Sequence, residues 1–496
     1  MKPVKTLFSR LVDLYRQNPV ATMIVTEDQT LSRKQMMEMI TLLSHKLPVH
    51  ENVGIVLDHS PEMIASLFAT VKNGSCYVPA EPSFPQKRIN QMMKDANVSL
   101  VLTSKKYAHL LHDVEMLFIE DLQGDLNQNR EIDLTDLAKP EDLAYVLFTS
   151  GTTGKPKGVT ITNQNVCHYV DAFDNEFHVK STDRMLQNSV CSFDIFTEEV
   201  FASLLNGASL AIPKNKDKKN VDTLMDFIEK QGCTMISGFP YLLEKMNQLD
   251  AIPSSLRLLI SGGDVLRASY VDHLQPQAAV YNTYGPSETT VCASYFHCLP
   301  GTELEDGTFP IGKAVQDVSL SLVDESGQPV KKGELGEILI SGLGVGDGYI
   351  VDHGHENDAF EKTDNGTVYH SGDLGYELED GNLAFVRRKD SQVMIYGKRV
   401  EISEVENVLM QCPGIKEAVV HARNDSQDLP YLTAYIVTTP EFKGLHDLHT
   451  RLAQSLTPFM IPEFFVQLSD IPITDHDKPD IRHLPVVLKD EDIPWS

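Results

Sequence analysis

The sequence predicts an α/β protein with two domains: a large N-terminal domain of helix-covered β-sheets and a small α+β domain at the C-terminal end. The chain has 496 residues, which is too many for one hydrophobic core. Strand and helix patterns alternate between residues 52 and 103, as is typical of parallel sheets covered by helices. From residue 391 onward, an alternating strand and an acidic helix open an α+β pattern. We therefore predict domains at residues 1–389 and 390–496.

The first β–α units can be justified from their residues. Residues 54–58 (GIVLD) form a predicted strand. Ser60 then precedes Pro61, which is the usual combination of a capping residue and a proline at the first helical position. The helix is expected to run to Gly74. A further helix leads to a predicted strand at residues 99–104.

Composition narrows the class of protein. The formal net charge of −27 disfavours nucleic acid or an anionic membrane as a partner. No apolar run approaches the ~18–20 residues of a membrane span, and the amphipathic N-terminus differs from a signal peptide. The seven cysteines are scattered and lack a CxxC pair. We therefore expect free thiols in a reducing cytoplasm and no zinc site.

The chain is organised around residues 144–159, AYVLFTSGTTGKPKGV. A short apolar run followed by Thr, Ser and Gly predicts a buried strand that leads into a phosphate loop. Glycine lets the backbone approach an anion, and consecutive N–H groups can surround its oxygens. The spacing of Gly151 and Gly154 differs from a Walker loop. An isolated cluster of this composition is more often a surface turn. The predicted nucleoside triphosphate ligands are Thr149, Ser150, Gly151, Thr152, Thr153, Gly154, Lys155 and Lys157.

Two later strands also end in small and hydrogen-bonding residues. They are LRLLISGGDV at residues 256–265 and AVYNTYGPSETTV at residues 279–291, and open α/β sheets bind ligands at such strand ends. An adenine needs a flat face and hydrogen-bonding groups. Tyr284 can supply the face, and Glu288 is a candidate magnesium ligand. The candidate adenine-contacting groups are Asn282, Gly262, Gly263 and Asp264.

Three charged residues have two interpretations each. Asp194, near the start of a predicted helix, is either a helix-start carboxylate, for which capping is the usual role, or a ligand for a cation. Asp373, between two glycines, either forms a turn or binds a ligand. Lys478, between two aspartates, is either a solvated loop charge or a functional cation. For an isolated residue, the structural interpretation is the more common one in each case.

Taken together, these motifs resemble those of the adenylate-forming enzymes, the superfamily of acyl-CoA synthetases, luciferases and nonribosomal peptide synthetase adenylation domains. The resemblance covers nearly the whole chain, with five motifs in order. It is strongest to stand-alone amino-acid adenylation domains of the nonribosomal peptide synthetase and D-alanine–carrier protein ligase type. It implies an ATP- and Mg²⁺-dependent ligase that forms aminoacyl-AMP and releases pyrophosphate. Because no carrier domain follows in this sequence, we expect transfer to the phosphopantetheine thiol of a separate carrier protein.

The resemblance also assigns roles to single residues. The Phe193-Asp194 pair matches the pair that places a carboxylate on the substrate α-ammonium, and Asp373 matches the residue that accepts both ribose hydroxyls. Arg388 corresponds to a ribose-contacting arginine, although the usual preceding glycine is Arg387 here. The nucleotide site implied by the resemblance also includes Thr283, Gly285, Pro286, Ser287, Thr289 and Phe385.

The resemblance makes residues 390–496 a mobile lid. Asp390 matches the hinge position. Lys478 matches the lysine that bridges the carboxylate and the α-phosphate, although His476 and Asp477 replace the usual Asn-Gly.

The amino-acid pocket is obtained by aligning motifs. Glu198 lies one helical turn beyond Asp194 on the same face. A buried, unpaired glutamate is costly, so Glu198 should reach water or meet a cation. Gly262 leaves room for a long side chain, which favours a lysine- or ornithine-like substrate. Alternatively, Glu198 points outward and the pocket takes a small neutral residue. The aligned pocket consists of Phe193, Asp194, Ile195, Glu198, Ser237, Ile260, Gly262, Thr283, Val291, Cys292 and Lys478.

Two other functions stay open. An acyl- or aryl-CoA ligase would share every ATP motif, but Asp194 argues against it. A non-catalytic nucleotide-binding regulator is a different class, and the presence of Lys478, Glu288 and Asp373 argues against that.

Overall fold

The computed structural model describes residues 5–126, 131–149, 156–350, 356–364, 366–389, 392–425, 429–472 and 481–487. The chain divides into two compact units. The larger unit consists of Met1–Pro82, Met92–Phe148 and Gly158–Lys389. The smaller unit consists of Ser83–Gln91, Thr149–Lys157 and Asp390–Ser496.

The elements are numbered in chain order. The helices are α1 (Leu7–Gln17), α2 (Arg33–Ser44), α3 (Pro61–Lys72), α4 (Gln86–Asp95), α5 (Ile119–Leu126), α6 (Asn163–Phe177), α7 (Asp194–Thr197), α8 (Val221–Gln231), α9 (Pro240–Asn247), α10 (Ile402–Met410) and α11 (Leu445–Leu452). The strands are β1 (Thr22–Val25), β2 (Thr30–Ser32), β3 (Asn52–Val56), β4 (Cys76–Pro79), β5 (Leu100–Thr103), β6 (Glu115–Phe118), β7 (Leu143–Thr149), β8 (Lys157–Thr162), β9 (Arg184–Leu186), β10 (Ser209–Ala211), β11 (Met235–Gly238), β12 (Leu258–Ser261), β13 (Ala279–Tyr284), β14 (Ser294–His297), β15 (Lys313–Ala314), β16 (Val318–Val323), β17 (Gly336–Gly342), β18 (Gly348–Tyr349), β19 (Phe360–Thr363), β20 (Gly366–Glu377), β21 (Leu383–Arg388), β22 (Gln392–Ile395), β23 (Lys398–Glu401), β24 (Ile415–Asn424), β25 (Pro430–Thr438) and β26 (Phe464–Leu468).

Three sheets form the larger unit. A nine-stranded sheet has the order β15-β14-β13-β12-β11-β9-β10-β1-β2, and a seven-stranded sheet has the order β18-β8-β7-β4-β3-β5-β6. A five-stranded sheet has the order β16-β17-β20-β19, with β21 paired to β20. The α/β fold class predicted from the sequence is confirmed.

The helix predicted after Ser60 shows how local sequence sets an element. The Ser60 side chain accepts a hydrogen bond from the Met63 backbone N–H, and Pro61 occupies the first helical turn. Every residue of α3 except Glu62 is buried, because the helix packs inside the unit. The predicted strand at 54–58 is shifted by two residues relative to β3, which is the usual uncertainty of element ends.

The buried hydrophobic side chains of the larger unit form separate clusters, and one of them is rich in aromatic rings. Phe68 packs edge-on against Phe201, with ring centroids 5.2 Å apart. Phe201 in turn stacks on Tyr77 at 6.2 Å. Within the described residues, no helix combines the length and the apolar character that crossing a membrane requires. All seven cysteines lie in described segments and are free, as predicted, and the structure shows that they are also buried.

The smaller unit has its own core. Strands β24 and β25 are antiparallel, and β26 joins β25 in parallel. Helix α10 contributes Val405 and Leu409 to a cluster that includes Ile436 and Leu452. This combination of a small sheet with helices agrees with the predicted α+β pattern.

Candidate functional site

Three neighbouring parallel strands bring the predicted site motifs to one edge of the nine-stranded sheet. Strands β11 and β12 pair with Ser237 opposite Ile260, and β12 and β13 pair with Ser261 opposite Asn282. Since the strands are parallel and in register, the segments that follow them emerge side by side. That edge is where ligands bind in open α/β sheets.

Asp194 opens the helix that faces this edge. Phe193 occupies the N-cap position and Asp194 is the first helical residue. Asp194 is therefore a carboxylate at the helix start, as one interpretation predicted, although it is not the capping residue itself. Burial raises the pKa of the Asp194 carboxyl to about 6, opposed by a hydrogen bond from the Ser287 hydroxyl and reinforced by the charge of Glu288. Asp194 therefore faces the motif that follows β13.

Glu198 points into the protein. The helix widens into a π-helical turn over Glu198–Ala202, a geometry that is frequent at functional sites. Glu198 is only 1% exposed, so the alternative in which it points outward is wrong. The Tyr169 hydroxyl donates a hydrogen bond to Oε2 of Glu198, while Oε1 has no hydrogen-bond partner among the described residues. Burial raises the pKa of Glu198 to about 7.

Two further residues of the predicted pocket lie near these carboxyls: Ser237 lies beside Glu198, and Cys292 lies near both. Cys292 lies close enough to Glu198, Thr283 and Asp194 for each to act on the pKa of its thiol, which burial raises. A Cβ atom at Gly262 would lie 2.7 Å from Oγ1 of Thr283, so glycine is required by close packing at this position. The buried pocket residues are Ile195, Glu198, Ser237, Ile260, Thr283, Val291 and Cys292.

A second cluster forms around Asp373. The Tyr284 hydroxyl donates to Oδ2 of Asp373 at 2.6 Å, and Nη1 of Arg388 donates to Oδ1 at 2.6 Å. Asp373 lies within β20, directly opposite Arg388 on β21. The interpretation of Asp373 as a turn former is therefore wrong. The arrangement presents one carboxylate between a phenol and a guanidinium.

Glu288 lies in a tightly folded loop. It is 0% exposed, and the Tyr349 hydroxyl donates to its Oε1 at 2.7 Å. A Cβ at Gly285 would lie 2.6 Å from the backbone of Val291 and Cys292, so this loop requires glycine. Glu288 and Asp194 are near enough for the charge of Glu288 to raise the pKa of Asp194. A divalent cation takes oxygen ligands such as a carboxylate, and the role of Glu288 as a magnesium ligand stays a prediction.

Other predicted nucleotide contacts have structural partners of their own. The Asn282 amide donates to the Pro310 carbonyl at 2.9 Å, and Asp264 accepts from the Tyr241 hydroxyl at 2.6 Å. The Thr289 hydroxyl donates to the Pro286 carbonyl at 3.0 Å. Phe385 is half-buried on β21. Their roles toward a nucleotide stay predictions.

Several predicted residues lie outside the described residues. They are Ser150, Gly151, Thr152, Thr153, Gly154, Lys155, Asp390 and Lys478. On either side of the predicted phosphate loop, Thr149 ends β7 and Lys157 begins β8. The Thr149 hydroxyl is buried, and the described chain offers it no hydrogen-bond partner. Such an unpaired hydroxyl fits a bound oxygen-rich group.

Sequence reasoning missed a buried polar network beside α7. Glu199 accepts hydrogen bonds from the Gln187 amide, the Asn188 and Ser189 N–H groups and the Ser189 hydroxyl, all at 2.9–3.0 Å. Nζ of Lys218 donates to Oε1 of Gln187 at 2.7 Å, and burial lowers the pKa of Lys218 to about 8. Only the tertiary structure reveals that Lys218, in a basic segment, turns inward. The network anchors the helix that carries Asp194.

The same network contains a group with the donor types of a metal site. One potential ligand atom each from His59, Glu81 and Cys191 lies within 4.8 Å of the others. However, Nε2 of His59 and Oε1 of Glu81 are hydrogen-bonded at 2.8 Å, and Lys218 lies 3.2 Å from Nδ1 of His59. An ammonium cation therefore already balances the charge of this group.

Substitution by glutamine should change the free energy of unfolding in opposite directions at the neighbouring residues Glu198 and Glu199. In Glu199→Gln, the new NH₂ group would face groups that donate hydrogen bonds to the carboxylate in the wild type, so that some of these bonds are lost. We therefore expect the free energy of unfolding to fall by roughly 1–3 kcal/mol. Glu198 has an ordinary pKa of 4.5, raised to about 7 on folding, so the folded state binds a proton that the unfolded state releases. Stability contributed by this proton is lost as pH rises through that interval.

Glu198→Gln removes this dependence of stability on pH. At pH 8 the larger unit of the variant should be as stable as that of the wild type, or more stable. Urea unfolding of both variants at pH 5 and pH 8 measures this contrast. Equal destabilisation of the two variants would contradict it.

Family models and curated relatives match nearly the whole chain. The model of the family described as "AMP-binding enzyme" matches residues 13–350, and that of the "AMP-binding enzyme C-terminal domain" matches residues 404–478. Bacitracin synthase 2 of Bacillus licheniformis is 35% identical over 97% of this chain. The alignment covers 18% of that protein, so this chain spans less than a fifth of its length.

Solved structures share the fold. An artificially fused adenylation–PCP di-domain NRPS from Klebsiella oxytoca superposes with a TM-score of 0.84 at 22% identity, covering 94% of each chain. An o-succinylbenzoate CoA synthetase from Bacillus subtilis superposes with a TM-score of 0.85 at 21% identity, covering 98% of this chain and 99% of that one. The fold alone therefore does not separate amino-acid activation from CoA ligation.

Proposed function

Because this chain belongs to the AMP-binding enzyme family and is a ligase, we propose that it activates a diamino acid as aminoacyl-AMP and transfers it to the phosphopantetheine thiol of a separate carrier protein. The observation that carries the proposal is the pair of carboxyls on one helical segment, that of Asp194, which is half-buried, and that of Glu198, which is buried. Each has a pKa raised by burial, to about 6 and about 7 respectively. A ligand with two ammonium groups would pair both.

The negative charges of Asp194 and Glu198 favour a diamino acid as the substrate. A carboxylate in a protein interior is costly unless a cation pairs with it. One carboxylate suffices for the α-ammonium of any amino acid, and Asp194 takes that role. Glu198, whose Oε1 has no partner in the described chain, then remains for a second ammonium. Ornithine and lysine carry such a group at the end of an unbranched side chain.

The first step joins the amino acid to the nucleotide. A substrate carboxylate oxygen attacks the α-phosphorus of ATP, the bond from that phosphorus to the bridging oxygen breaks, and pyrophosphate leaves. Asp194 orients the substrate through its α-ammonium, while Asp373 accepts the ribose hydroxyls beside Arg388. Glu288 would hold Mg²⁺, which offsets charge on the phosphates when bound. Lys478 stabilises charge that develops between carboxylate and α-phosphate.

The second step releases the nucleotide. The carrier thiol loses its proton to solvent, its sulfur attacks the aminoacyl carbonyl carbon, and AMP leaves with the electrons of the carbon–oxygen bond. The likeness to peptide synthases supports a carrier thiol as acceptor. The fold shared with a CoA synthetase keeps coenzyme A as the second candidate acceptor, and Asp194 favours amino acids over other acids.

Amino-acid-dependent exchange of pyrophosphate into ATP tests the substrate class. We expect the strongest exchange with ornithine or lysine, and a fall of roughly 100-fold in Glu198→Gln, because breaking a buried ion pair costs about 3 kcal/mol. Norleucine, which matches lysine in shape without the second ammonium, provides the control substrate and should lose little. Robust exchange with alanine and none with diamino acids would refute the proposal. Supplying carrier protein or coenzyme A with the preferred substrate then identifies the acceptor.

A further inference from the structure

The Glu198 carboxyl accepts a hydrogen bond from a tyrosine that lies outside the pocket aligned by sequence. Tyr169 lies on α6, is 1% exposed and donates to Oε2 of Glu198. Tyr295 lies on β14, and its buried hydroxyl has no hydrogen-bond partner in the described part of the chain. Tyr295 is near enough to Glu198 and Tyr169 for both to act on its pKa, which burial raises. Neither tyrosine belongs to the predicted site.

The Tyr169 hydrogen bond orients the carboxyl group. A glutamate side chain has several rotamers, and a free carboxyl can turn either oxygen toward a ligand. Fixing Oε2 on a residue of another helix removes that freedom. Oε1 is then left buried and without a hydrogen-bond partner among the described residues. A polar group held in one orientation before the ligand arrives lowers the cost of binding.

We propose that Tyr169 is a specificity-determining positioning residue, which holds Oε2 of Glu198 so that Oε1 meets the side-chain ammonium of the substrate. The inference rests on the proposed function, since it requires a diamino acid in the pocket. Tyr169 acts through Glu198 and need not touch the substrate itself.

The groups around Glu198 determine the pKa of its carboxyl. On its own helix it faces Asp194 and Glu199, which raise its pKa. Burial is the largest effect on that pKa and raises it, while the hydroxyls of Ser237 and then Tyr169 lower it. Cys292 and Tyr295 also lie close enough to interact electrostatically with Glu198.

Removing the Tyr169 hydroxyl should therefore shift the Glu198 pKa upward. At neutral pH a larger fraction of Glu198 would carry a proton, and a protonated carboxyl attracts an ammonium group less strongly. The acidic limb of the pH profile of kcat/KM for a diamino acid should move to higher pH.

Tyr169→Phe tests the inference by pyrophosphate exchange with ornithine, lysine and norleucine. We expect KM for the diamino acids to rise about tenfold, as for the loss of one hydrogen bond to a charged group. The kcat and the norleucine exchange should change little, which also reports that the variant is folded. Tyr107→Phe is the matched control, because Tyr107 donates to Oδ1 of Asp58 at 2.6 Å, outside the predicted pocket.

The outcomes separate this inference from the proposed function. No exchange with diamino acids in the wild type overturns the proposed function. Exchange that is equal in the wild type and Tyr169→Phe, at every pH, overturns the role of Tyr169 alone.

A measurement without substrate completes the test. Infrared difference spectroscopy of the intact protein reports the protonated carboxyl of Glu198, assigned by its loss in Glu198→Gln. A titration midpoint that moves upward in Tyr169→Phe and stays in place in Tyr107→Phe supports the contact. An unchanged midpoint in Tyr169→Phe overturns it.

Discussion

Asp194→Asn should lower kcat/KM for the amino acid by roughly 10²–10³-fold in pyrophosphate exchange, while KM for ATP stays nearly unchanged. Asparagine keeps the size of the side chain and removes its charge, so the substrate α-ammonium would be buried without a counter-charge. Removing one partner of a buried ion pair costs roughly 3–5 kcal/mol, and each 1.4 kcal/mol is about a factor of ten.

A matched substrate separates this effect from damage to the fold. 6-Aminohexanoate has the carboxylate and the terminal ammonium of lysine but lacks the α-amino group. The wild type should prefer lysine strongly, and Asp194→Asn should lose most of that preference. If the variant loses the same factor with both acids, Asp194 does not pair with the α-ammonium. This double comparison isolates the pairwise term, as a double-mutant cycle does.

Lys478→Ala should reduce adenylation by roughly 10²–10³-fold, because a preorganised cation at developing charge contributes about 3–4 kcal/mol. Thioester formation from preformed aminoacyl-AMP should be nearly unaffected, since the proposed contact exists only during adenylation. Each half-reaction can be measured alone, the first by pyrophosphate release and the second by loading of the thiol.

Lys416→Ala is the control for this prediction. Lys416 belongs to the smaller unit, and its side chain is 54% exposed beside Glu417, so its removal should leave both half-reactions intact. Equal loss of both half-reactions in Lys478→Ala would contradict the assigned role. A loss of adenylation with intact thioester formation would also support the proposal that residues 390–496 are a lid with different positions in the two steps. Asp390 is the proposed hinge of that lid.

The fold class, the start of α3 and the family could be predicted from the sequence alone, because each depends on residues that are close together in the chain. The alternation of apolar strands and helices predicted the α/β class, because the hydrophobic periodicities of helices and strands are properties of short segments. Ser60 and Pro61 predicted the start of α3, because capping depends on neighbouring residues. The order of the motifs identified the superfamily, and the comparisons confirmed that membership.

The partners of the site residues could be seen only in the tertiary structure. Tyr169 and Glu198 are 29 residues apart, Tyr349 and Glu288 are 61 apart, and Tyr284 and Asp373 are 89 apart. Periodicity can indicate that a residue is buried, but its neighbours depend on which elements pack together and in which register. The sequence by itself therefore determined the fold class and the chemical types of the site. The tertiary structure decided that Glu198 points inward, because only the packing of α6 and β11 against its helix places the hydroxyls of Tyr169 and Ser237 beside that carboxyl.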